Sequence, residues 1–337
     1  MDFETYLQAQ LGRYPAMQAQ DAVKLCYQAA RGAEHLLSDL TAAQRYFDEE
    51  FEATPPQVVP LWEPISPQVC RVHLGAWKSA GLPSHWLFRM FAASAKVELE
   101  GEDRLESYLE QAGNLHLLGW DDFLTRYREA GMPAVRHSQI YREAYRPAYR
   151  IVNVRFARLI PILQRAAERE GGVIAIDGRA ASGKTSMAEG LRTVLNGAVV
   201  HMDDFFLPSE LRTEERLGQP GGNVHYERFA REILPNLTGE QAFSYRRFDC
   251  GVMALAGQVT VEDSPWRIVE GSYSHHPALG RYAHISVFSC VEPEEQMRRI
   301  VARNGPEMAE IFRSRWIPME ENYFDAFSIA ERADIQV

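Results

Sequence analysis

No uninterrupted apolar run in this 337-residue sequence approaches the roughly 20 residues that a helix needs to cross a bilayer. The opening segment, residues 1–6, is acidic and lacks the basic and apolar regions of a signal peptide. Cysteine is scarce as well, and no CxxC pair indicates a zinc site among Cys26, Cys70, Cys250 and Cys290. We therefore expect a cytoplasmic protein that does not bind membranes and whose thiols stay reduced.

The sequence also lacks an excess of basic residues. Its 46 aspartates and glutamates outnumber its 36 lysines and arginines, which gives a formal net charge of −10. Proteins that hold nucleic acid by its phosphate backbone usually carry a basic surface, so we expect no nucleic-acid partner. The hydrophobic content of 46% and the charged content of 24% are typical of a globular protein, and the length allows two domains.

Two regions of the sequence differ in their pattern. Residues 1–150 indicate a mostly α-helical domain, whose role the sequence does not reveal. Residues 151–337 instead alternate helical segments with short apolar runs that are typical of buried strands. These runs lie at 173–176, 198–200, 267–269 and 284–288. The alternation predicts an α/β domain with a parallel sheet and helices on both faces.

A complete phosphate-binding motif, G-x-x-x-x-G-K-[ST], follows the first of these runs. Its glycines let the backbone curl so that several N–H groups point at phosphate oxygens, and the helix that follows adds its positive end. Lys184 would reach the β- and γ-phosphates of ATP, and the Thr185 hydroxyl would bind Mg²⁺. The motif predicts a P-loop that binds ATP through Gly178, Ala181, Ser182, Gly183, Lys184, Thr185 and Ser186.

Acidic residues follow two of the later runs. Asp203 and Asp204 come after the run at 198–200, at the end of the sheet where ligands bind in open α/β folds. A kinase that acts on an alcohol needs a carboxylate that orients the acceptor hydroxyl and takes its proton, and either acid fits this role. Glu270 follows 267–269 and could bind Mg²⁺, which needs only one or two carboxylates beside the phosphates. Two structural alternatives stay open: Asp203 and Asp204 could cap the N-terminus of a helix, and Glu270 could be a strand-end residue that faces solvent.

The order of a P-loop, an Asp-x-Phe segment and a strand that ends in Val-Glu-Gly resembles the uridine kinase, phosphoribulokinase and pantothenate kinase group. The resemblance covers about residues 155–337. It implies that Asp203 is the catalytic base and lies near Mg²⁺. It also implies that Asp204 has a secondary role at the metal or the substrate, and that Glu270 lies near Mg²⁺ and its waters. Residues 333–337 would form the last strand of this fold.

The resemblance further implies a mobile lid whose arginines close over the phosphoryl group during transfer. Of the arginines between residues 296 and 316, Arg303 aligns best with a catalytic lid arginine. Arg299 and Arg313 come next, as contacts with the substrate phosphates. The alternative is an exposed helix face whose charges pair between neighbouring turns.

The acceptor-binding stretches of the resembling kinases correspond to residues 223–226 and 243–249. They supply His225, Tyr245 and Arg246 as candidate contacts, with Tyr245 stacking on a ring or Arg246 neutralising an anion. Adjacent arginines at this place depart from the nucleoside kinases, which leaves an acidic or phosphorylated acceptor open. Ordinary packing and surface solvation are the alternatives for each of these residues.

Together these patterns predict an ATP- and Mg²⁺-dependent kinase that phosphorylates a hydroxyl group of a small molecule. Two alternatives stay open: a P-loop phosphotransferase for a sugar, a hydroxy acid or an antibiotic, and a nucleotide-sensing regulatory ATPase. A sensor needs no base beside an acceptor hydroxyl, so Asp203, Glu270 and the lid arginines favour the kinase.

Overall fold

The chain forms two compact units, residues 1–158 and 159–337, in a computed structural model that describes residues 3–33, 39–97, 102–239 and 241–337. The division lies after the predicted boundary near residue 150, because residues 149–153 pair with an earlier strand of the N-terminal unit. Within the described residues, none of the helices combines the length and the apolar character that crossing a bilayer requires.

The N-terminal unit is mostly helical, as predicted. Its described helices are α1 (Phe3–Arg13), α2 (Ala19–Arg31), α3 (Leu40–Ala53), α4 (Leu74–Ser79), α5 (Ser84–Ser94), α6 (Glu102–Gly113), α7 (Trp120–Glu129), α8 (Gln139–Tyr145) and α9 (Val154–Ala157). The unit also contains an antiparallel sheet that the sequence did not predict, in the order β1 (Trp62–Pro64), β2 (Val69–His73) and β3 (Tyr149–Asn153). The sheet depends on the pairing of β2 with β3, about 80 residues later in the chain, and no local sequence pattern indicates such a pairing.

A buried polar network lies inside this unit. The Asp21 carboxylate accepts hydrogen bonds from the Gln18 amide, the Ser138 amide and the Ser138 hydroxyl, at 2.7–3.0 Å. The His137 ring connects it to Tyr149: Nδ1 lies 2.8 Å from Asp21 Oδ1, and Nε2 lies 2.7 Å from the Tyr149 hydroxyl. A neutral ring satisfies both contacts, because Nδ1 donates and Nε2 accepts. Burial lowers the pKa of His137 to about 4 in spite of the hydrogen bond with Asp21.

The C-terminal unit alternates strands and helices. Its described strands are β4 (Gly172–Gly178), β5 (Ala198–His201), β6 (Phe243–Asp249), β7 (Ala254–Val261), β8 (Trp266–Glu270), β9 (Ile285–Ser289) and β10 (Ile335–Gln336). Its described helices are α10 (Ile160–Ala166), α11 (Lys184–Leu195), α12 (Glu214–Leu217), α13 (Tyr226–Glu232), α14 (Leu234–Leu237), α15 (Pro293–Ile311), α16 (Ile317–Phe327) and α17 (Ile329–Arg332).

Five of these strands form one sheet in the order β10-β9-β4-β8-β5, and all neighbours in it are parallel. The predicted α/β fold is therefore confirmed, and each apolar run marked in the sequence is a strand. The runs were recognisable because strands of a parallel sheet are covered on both faces, and Val173 to Ile176 are fully buried. Strands β6 and β7 form a separate antiparallel hairpin.

The predicted lid region is mostly helical. Helix α15 bends at Gly305, whose φ of +80° is non-helical, immediately before Pro306. A π-helical turn, Phe312–Trp316, then connects α15 to α16. A bend and a π turn interrupt the helical hydrogen bonds, so this connection has two sites at which it can change direction.

We expect the N-terminal unit to lose stability as the pH falls from 6.5 toward 4. In this range the unfolded chain protonates His137, but the folded protein does not, because burial lowers the pKa of this histidine. The contribution amounts to about 2 kcal/mol of unfolding free energy between pH 7 and pH 5. Urea unfolding followed by tryptophan fluorescence measures it, since four of the six tryptophans lie in this unit.

The His137→Gln variant is the control for this prediction, because glutamine does not titrate but keeps hydrogen-bonding groups near Asp21. Its unfolding free energy should depend less on pH over the same range. An equal pH dependence in the wild-type protein and the variant would show that His137 is not responsible.

Candidate active site

The phosphate-binding motif connects β4 to α11, as the sequence predicts. Gly178 has a φ of +140°, and a Cβ at this position would lie 2.2 Å from the Ser289 carbonyl oxygen, so only glycine fits. Ala181 has a φ of +57°, a strained value for alanine that is found where a loop curls around an anion. Helix α11 begins at Lys184, and the first amides of a helix have no partner within it. The loop therefore has the shape of a phosphate cradle.

The Lys184 side chain is buried within this loop. Its ammonium donates to the carbonyl oxygens of Gly178 at 2.7 Å and Arg179 at 2.9 Å. An ammonium has three donors, so these contacts position the charge and leave a further donor for a phosphate oxygen.

Glu270, at the carboxyl end of β8, contacts the helix that follows the loop. Its Oε2 accepts a hydrogen bond from the Thr185 hydroxyl at 3.2 Å, and its Oε1 lies 2.5 Å from His201 Nδ1. This hydrogen bond raises the pKa of His201. His201 was not among the predicted site residues, because its place beside Glu270 depends on the register between β5 and β8.

Oxygen atoms from the three predicted metal ligands, Thr185, Glu270 and Asp203, suit a hard cation such as Mg²⁺. Asp203 lies next to Glu270, since a Cβ placed on Gly271 would be 3.4 Å from Asp203 Oδ1. Among the residues that the structure describes, no group of three or more His, Cys, Asp or Glu could hold a metal alone. The donor set therefore fits a cation that takes further ligands from phosphates and water, as Mg²⁺ does.

The two adjacent acids of the sequence have different surroundings. They lie in a short 3₁₀-helix, Met202–Phe205, in which successive side chains point in different directions. Asp203 lines a cavity, where water reaches its carboxyl although protein surrounds it on most sides. Desolvation by the surrounding protein, together with repulsion from Glu270, raises the pKa of the Asp203 carboxyl. Asp204 instead accepts a hydrogen bond from the Tyr245 hydroxyl at 2.7 Å.

The cavity has a volume of about 660 Å³, within the range of small-molecule sites. One set of lining residues, the loop side, comes from the P-loop and the lid region: Ala180, Ala181, Gly183, Lys184, Thr185, Ser186, Arg299, Arg303, Phe312 and Trp316. A second set, the Asp203 side, comes from Asp203 and later segments: Asp203, Phe206, Arg212, Asn223, Cys250 and Met253. The cavity thus brings the P-loop and the predicted base into one space.

The three predicted lid arginines do not share one environment. Arg299 lines the cavity and donates to the Ala181 carbonyl oxygen at 3.1 Å. Arg303 also lines it, and its Nε donates to Asn304 Oδ1 at 2.8 Å. Arg313 is exposed outside the cavity lining and pairs with Glu310 at 3.1 Å, which agrees with the alternative of a solvated helix face.

The predicted acceptor contacts lie outside the cavity lining. His225 caps α13 by accepting from the Arg228 amide at 3.2 Å. Tyr245 is buried against Asp204, and Arg246, the next residue on β6, is exposed and donates to the Leu255 carbonyl oxygen at 3.0 Å. The sequence did not distinguish Arg212, because it belongs to no motif with known spacing. Asn223 begins the predicted acceptor-binding stretch 223–226, in which His225 and not Asn223 was the candidate contact.

Two further acids that the sequence analysis did not single out hold the P-loop in place. Asp177 is fully buried at the end of β4 and accepts hydrogen bonds from the Gly178, Tyr273 and His275 amides and the Tyr323 hydroxyl, at 2.7–3.1 Å. Glu320 on α16 accepts from the Ala180 amide at 2.9 Å and the Ser272 hydroxyl at 2.7 Å. Because about 140 residues separate Glu320 from Ala180, no local pattern could have indicated this contact.

Known proteins offer no family assignment for this chain. No protein-family model matches it, and no curated protein matches it. Among solved structures, it is similar to a possible uridine kinase from Bacillus stearothermophilus, with 20% identity over 54% of this chain and 97% of that chain, and a TM-score of 0.41. It is also similar to a candidate fructose transport system kinase from Silicibacter sp. TM1040, with 22% identity over 54% of this chain and 98% of that chain, and a TM-score of 0.43. At these values the matches establish neither the fold nor the activity.

We expect Glu320→Ala to lower the unfolding free energy of the C-terminal unit by about 2 kcal/mol, because it leaves the buried Ala180 amide without its carboxylate partner and leaves the Ser272 hydroxyl only the Gly178 carbonyl oxygen. Glu320→Gln should cost less, since its amide can accept from one group and donate to the other. Urea unfolding of the full chain measures both effects.

Glu321→Ala is the matched control on the same helix. Glu321 forms a half-exposed ion pair with Arg179 at 2.7 Å, and such pairs contribute about 1 kcal/mol or less. If Glu320→Ala is no more destabilising than Glu321→Ala, the buried hydrogen bonds of Glu320 do not stabilise the loop.

Proposed function

We propose that this chain is an ATP- and Mg²⁺-dependent kinase that transfers the γ-phosphoryl group of ATP to a hydroxyl group of a small molecule. The observation that carries the proposal is one cavity in which a complete P-loop with its lysine lies together with Asp203, an accessible carboxylate whose pKa is raised. A site that only binds nucleotide can use a carboxylate near Mg²⁺ but has no need of a proton acceptor. A site that activates a hydroxyl does need one.

In this proposal the amides of the P-loop and the Lys184 ammonium bind the β- and γ-phosphates. Asp203 accepts the proton of the acceptor hydroxyl. The acceptor oxygen forms a bond with the γ-phosphorus, the bond from that phosphorus to the β–γ bridging oxygen breaks, and ADP leaves. The raised pKa of Asp203 suits it to take up this proton.

Thr185 and Glu270, with Asp203 beside them, would hold Mg²⁺ at the phosphates. When bound, the cation neutralises negative charge on the phosphate oxygens. Arg299 and Arg303 supply further positive charge from the loop side of the cavity, where guanidinium groups match phosphoryl oxygens. Phe312 and Trp316 from the same region would exclude water from the transfer.

The first test is a panel of nucleosides, sugars, hydroxy acids and amino alcohols, with ADP release measured in the presence of ATP and Mg²⁺. A kinase releases ADP faster with at least one acceptor and yields an equivalent amount of phosphorylated product. If no acceptor stimulates ADP release, the regulatory ATPase is the better description.

We expect Lys184→Ala to weaken ATP binding at least tenfold, because it removes a charge-assisted contact with the phosphates. Titration with a fluorescent ATP analogue measures this loss. Arg192→Ala is the control, since Arg192 is an exposed cation on the same helix and pairs with Glu189. Equal losses in the two variants would mean that Lys184 does not contact the nucleotide.

We expect Asp203→Asn to bind ATP normally but to turn over about 10²- to 10⁴-fold more slowly, as in the loss of a general base. The measurement is kcat with an acceptor identified by the panel, beside the dissociation constant of ATP. Asp204→Asn is the matched control, because its side chain contacts Tyr245 outside the cavity lining. If the Asp203→Asn variant kept the wild-type kcat, or if Asp204→Asn lowered kcat more than Asp203→Asn did, Asp203 would not be the base.

A further inference from the structure

Arg212 is one of the cations at the cavity wall. It lines the cavity and is half-buried, and no salt bridge joins it to an acid among the residues that the structure describes. Its Nε is buried and has no hydrogen-bond partner within that same part of the chain. The other lining cations already have partners: Lys184 binds loop carbonyls, Arg299 binds Glu295 and Arg303 binds Asn304. A guanidinium that has a buried, unpartnered Nε and forms no salt bridge favours an anionic ligand.

Asn223 has unmet hydrogen-bonding capacity in the same cavity. Only 2% of the residue is exposed, its side chain interacts with the Tyr273 hydroxyl, and its Oδ1 has no partner among the described residues. A buried carbonyl oxygen without a partner is costly, so the site favours a ligand that brings a donor such as a hydroxyl.

Both groups belong to the Asp203 side of the cavity lining, which the chain segments after the P-loop supply. The Leu207 amide donates to the Asn223 carbonyl oxygen at 3.2 Å, which holds Asn223 next to the segment that follows Asp203. The Cys250 thiol lies within electrostatic range of both Arg212 and Asp203. Cys250 thus places Arg212 in the neighbourhood of the proposed base, where an acceptor would bind.

We propose that Arg212 and Asn223 select a polyhydroxylated acceptor that carries an anionic group, either a carboxylate or a phosphate. Arg212 binds the anion, Asn223 accepts a hydrogen bond from one hydroxyl, and another hydroxyl lies at Asp203. The inference rests on the proposed kinase function and specifies the class of its acceptor. It replaces Arg246, which is exposed outside the cavity lining, as the residue that recognises the anion.

The test uses matched probes that differ in one group: glycerol, glycerate and glycerol 3-phosphate, and glucitol, gluconate and glucitol 6-phosphate. Isothermal titration of the full chain, saturated with Mg²⁺ and a non-hydrolysable ATP analogue, measures binding of each probe. We expect an anionic member of a set to bind at least tenfold more tightly than its neutral member. The carboxylate and phosphate members distinguish the two sources of the anion.

Arg212→Gln should remove this preference while the affinity for the ATP analogue is unchanged. Arg246→Gln, which changes charge equally, should keep the preference. Asn223→Leu should weaken the binding of neutral and anionic probes by the same factor, because it removes the acceptor for a hydroxyl group that both kinds of probe carry.

Neutral probes that bind as tightly as anionic ones would overturn the inference. The inference would also be wrong if Arg212→Gln kept the preference for anionic probes. It would be wrong as well if this variant weakened binding of the ATP analogue as much as binding of the acceptor probe. ADP release tests the kinase proposal separately. An anionic probe that binds through Arg212 but is not phosphorylated would contradict the proposed kinase activity while supporting the anion site.

Discussion

The buried carboxylate of Asp177 connects three of the chain segments that surround the candidate active site. Its hydrogen bonds come from the start of the P-loop at Gly178, from Tyr273 and His275 after β8, and from Tyr323 on α16. A carboxylate that is fully buried is tolerated only where hydrogen bonds satisfy its oxygens. The three segments must therefore be in place together, and the loop cannot take its shape independently of the helix that follows the lid region.

The other contacts of the P-loop extend this constraint. Glu320 lies on the same helix as Tyr323 and holds the Ala180 amide, while Ser272, next to Tyr273, donates to Glu320. Tyr273 itself has a φ of +75°, a strained value that its contact with Asp177 helps to maintain. Helix α16 directly follows the π turn of the lid region, so the lid and the phosphate cradle have one common support. A change in the lid would therefore act on the loop through hydrogen bonds, without a nucleotide between them.

The sequence predicted those parts of the site that local patterns encode. The P-loop follows from one contiguous motif, and the parallel strands follow from short apolar runs, because both are properties of neighbouring residues. Glu320 and Arg212 could not be predicted in this way, since their positions depend on which distant segments meet, and within the predicted stretch 223–226 the pattern favoured His225 although Asn223 lines the cavity. Tyr245 shows the same limit: its aromatic ring suggested stacking on a ligand, but the alternation of side chains along β6 buries it and leaves Arg246 exposed. A sequence pattern can therefore locate a candidate residue, but the fold decides whether its side chain faces the cavity, the core or solvent.

The separation of two adjacent acids shows how the base and the acceptor side are linked. In a 3₁₀-helix successive side chains point about 120° apart, so when Asp203 faces the cavity, Asp204 must face elsewhere. It faces the β6–β7 hairpin and binds the Tyr245 hydroxyl. The turn of this hairpin contributes Cys250 and Met253 to the cavity. Asp203 is therefore accessible to a ligand, while Asp204 contacts the hairpin whose turn lines the same cavity.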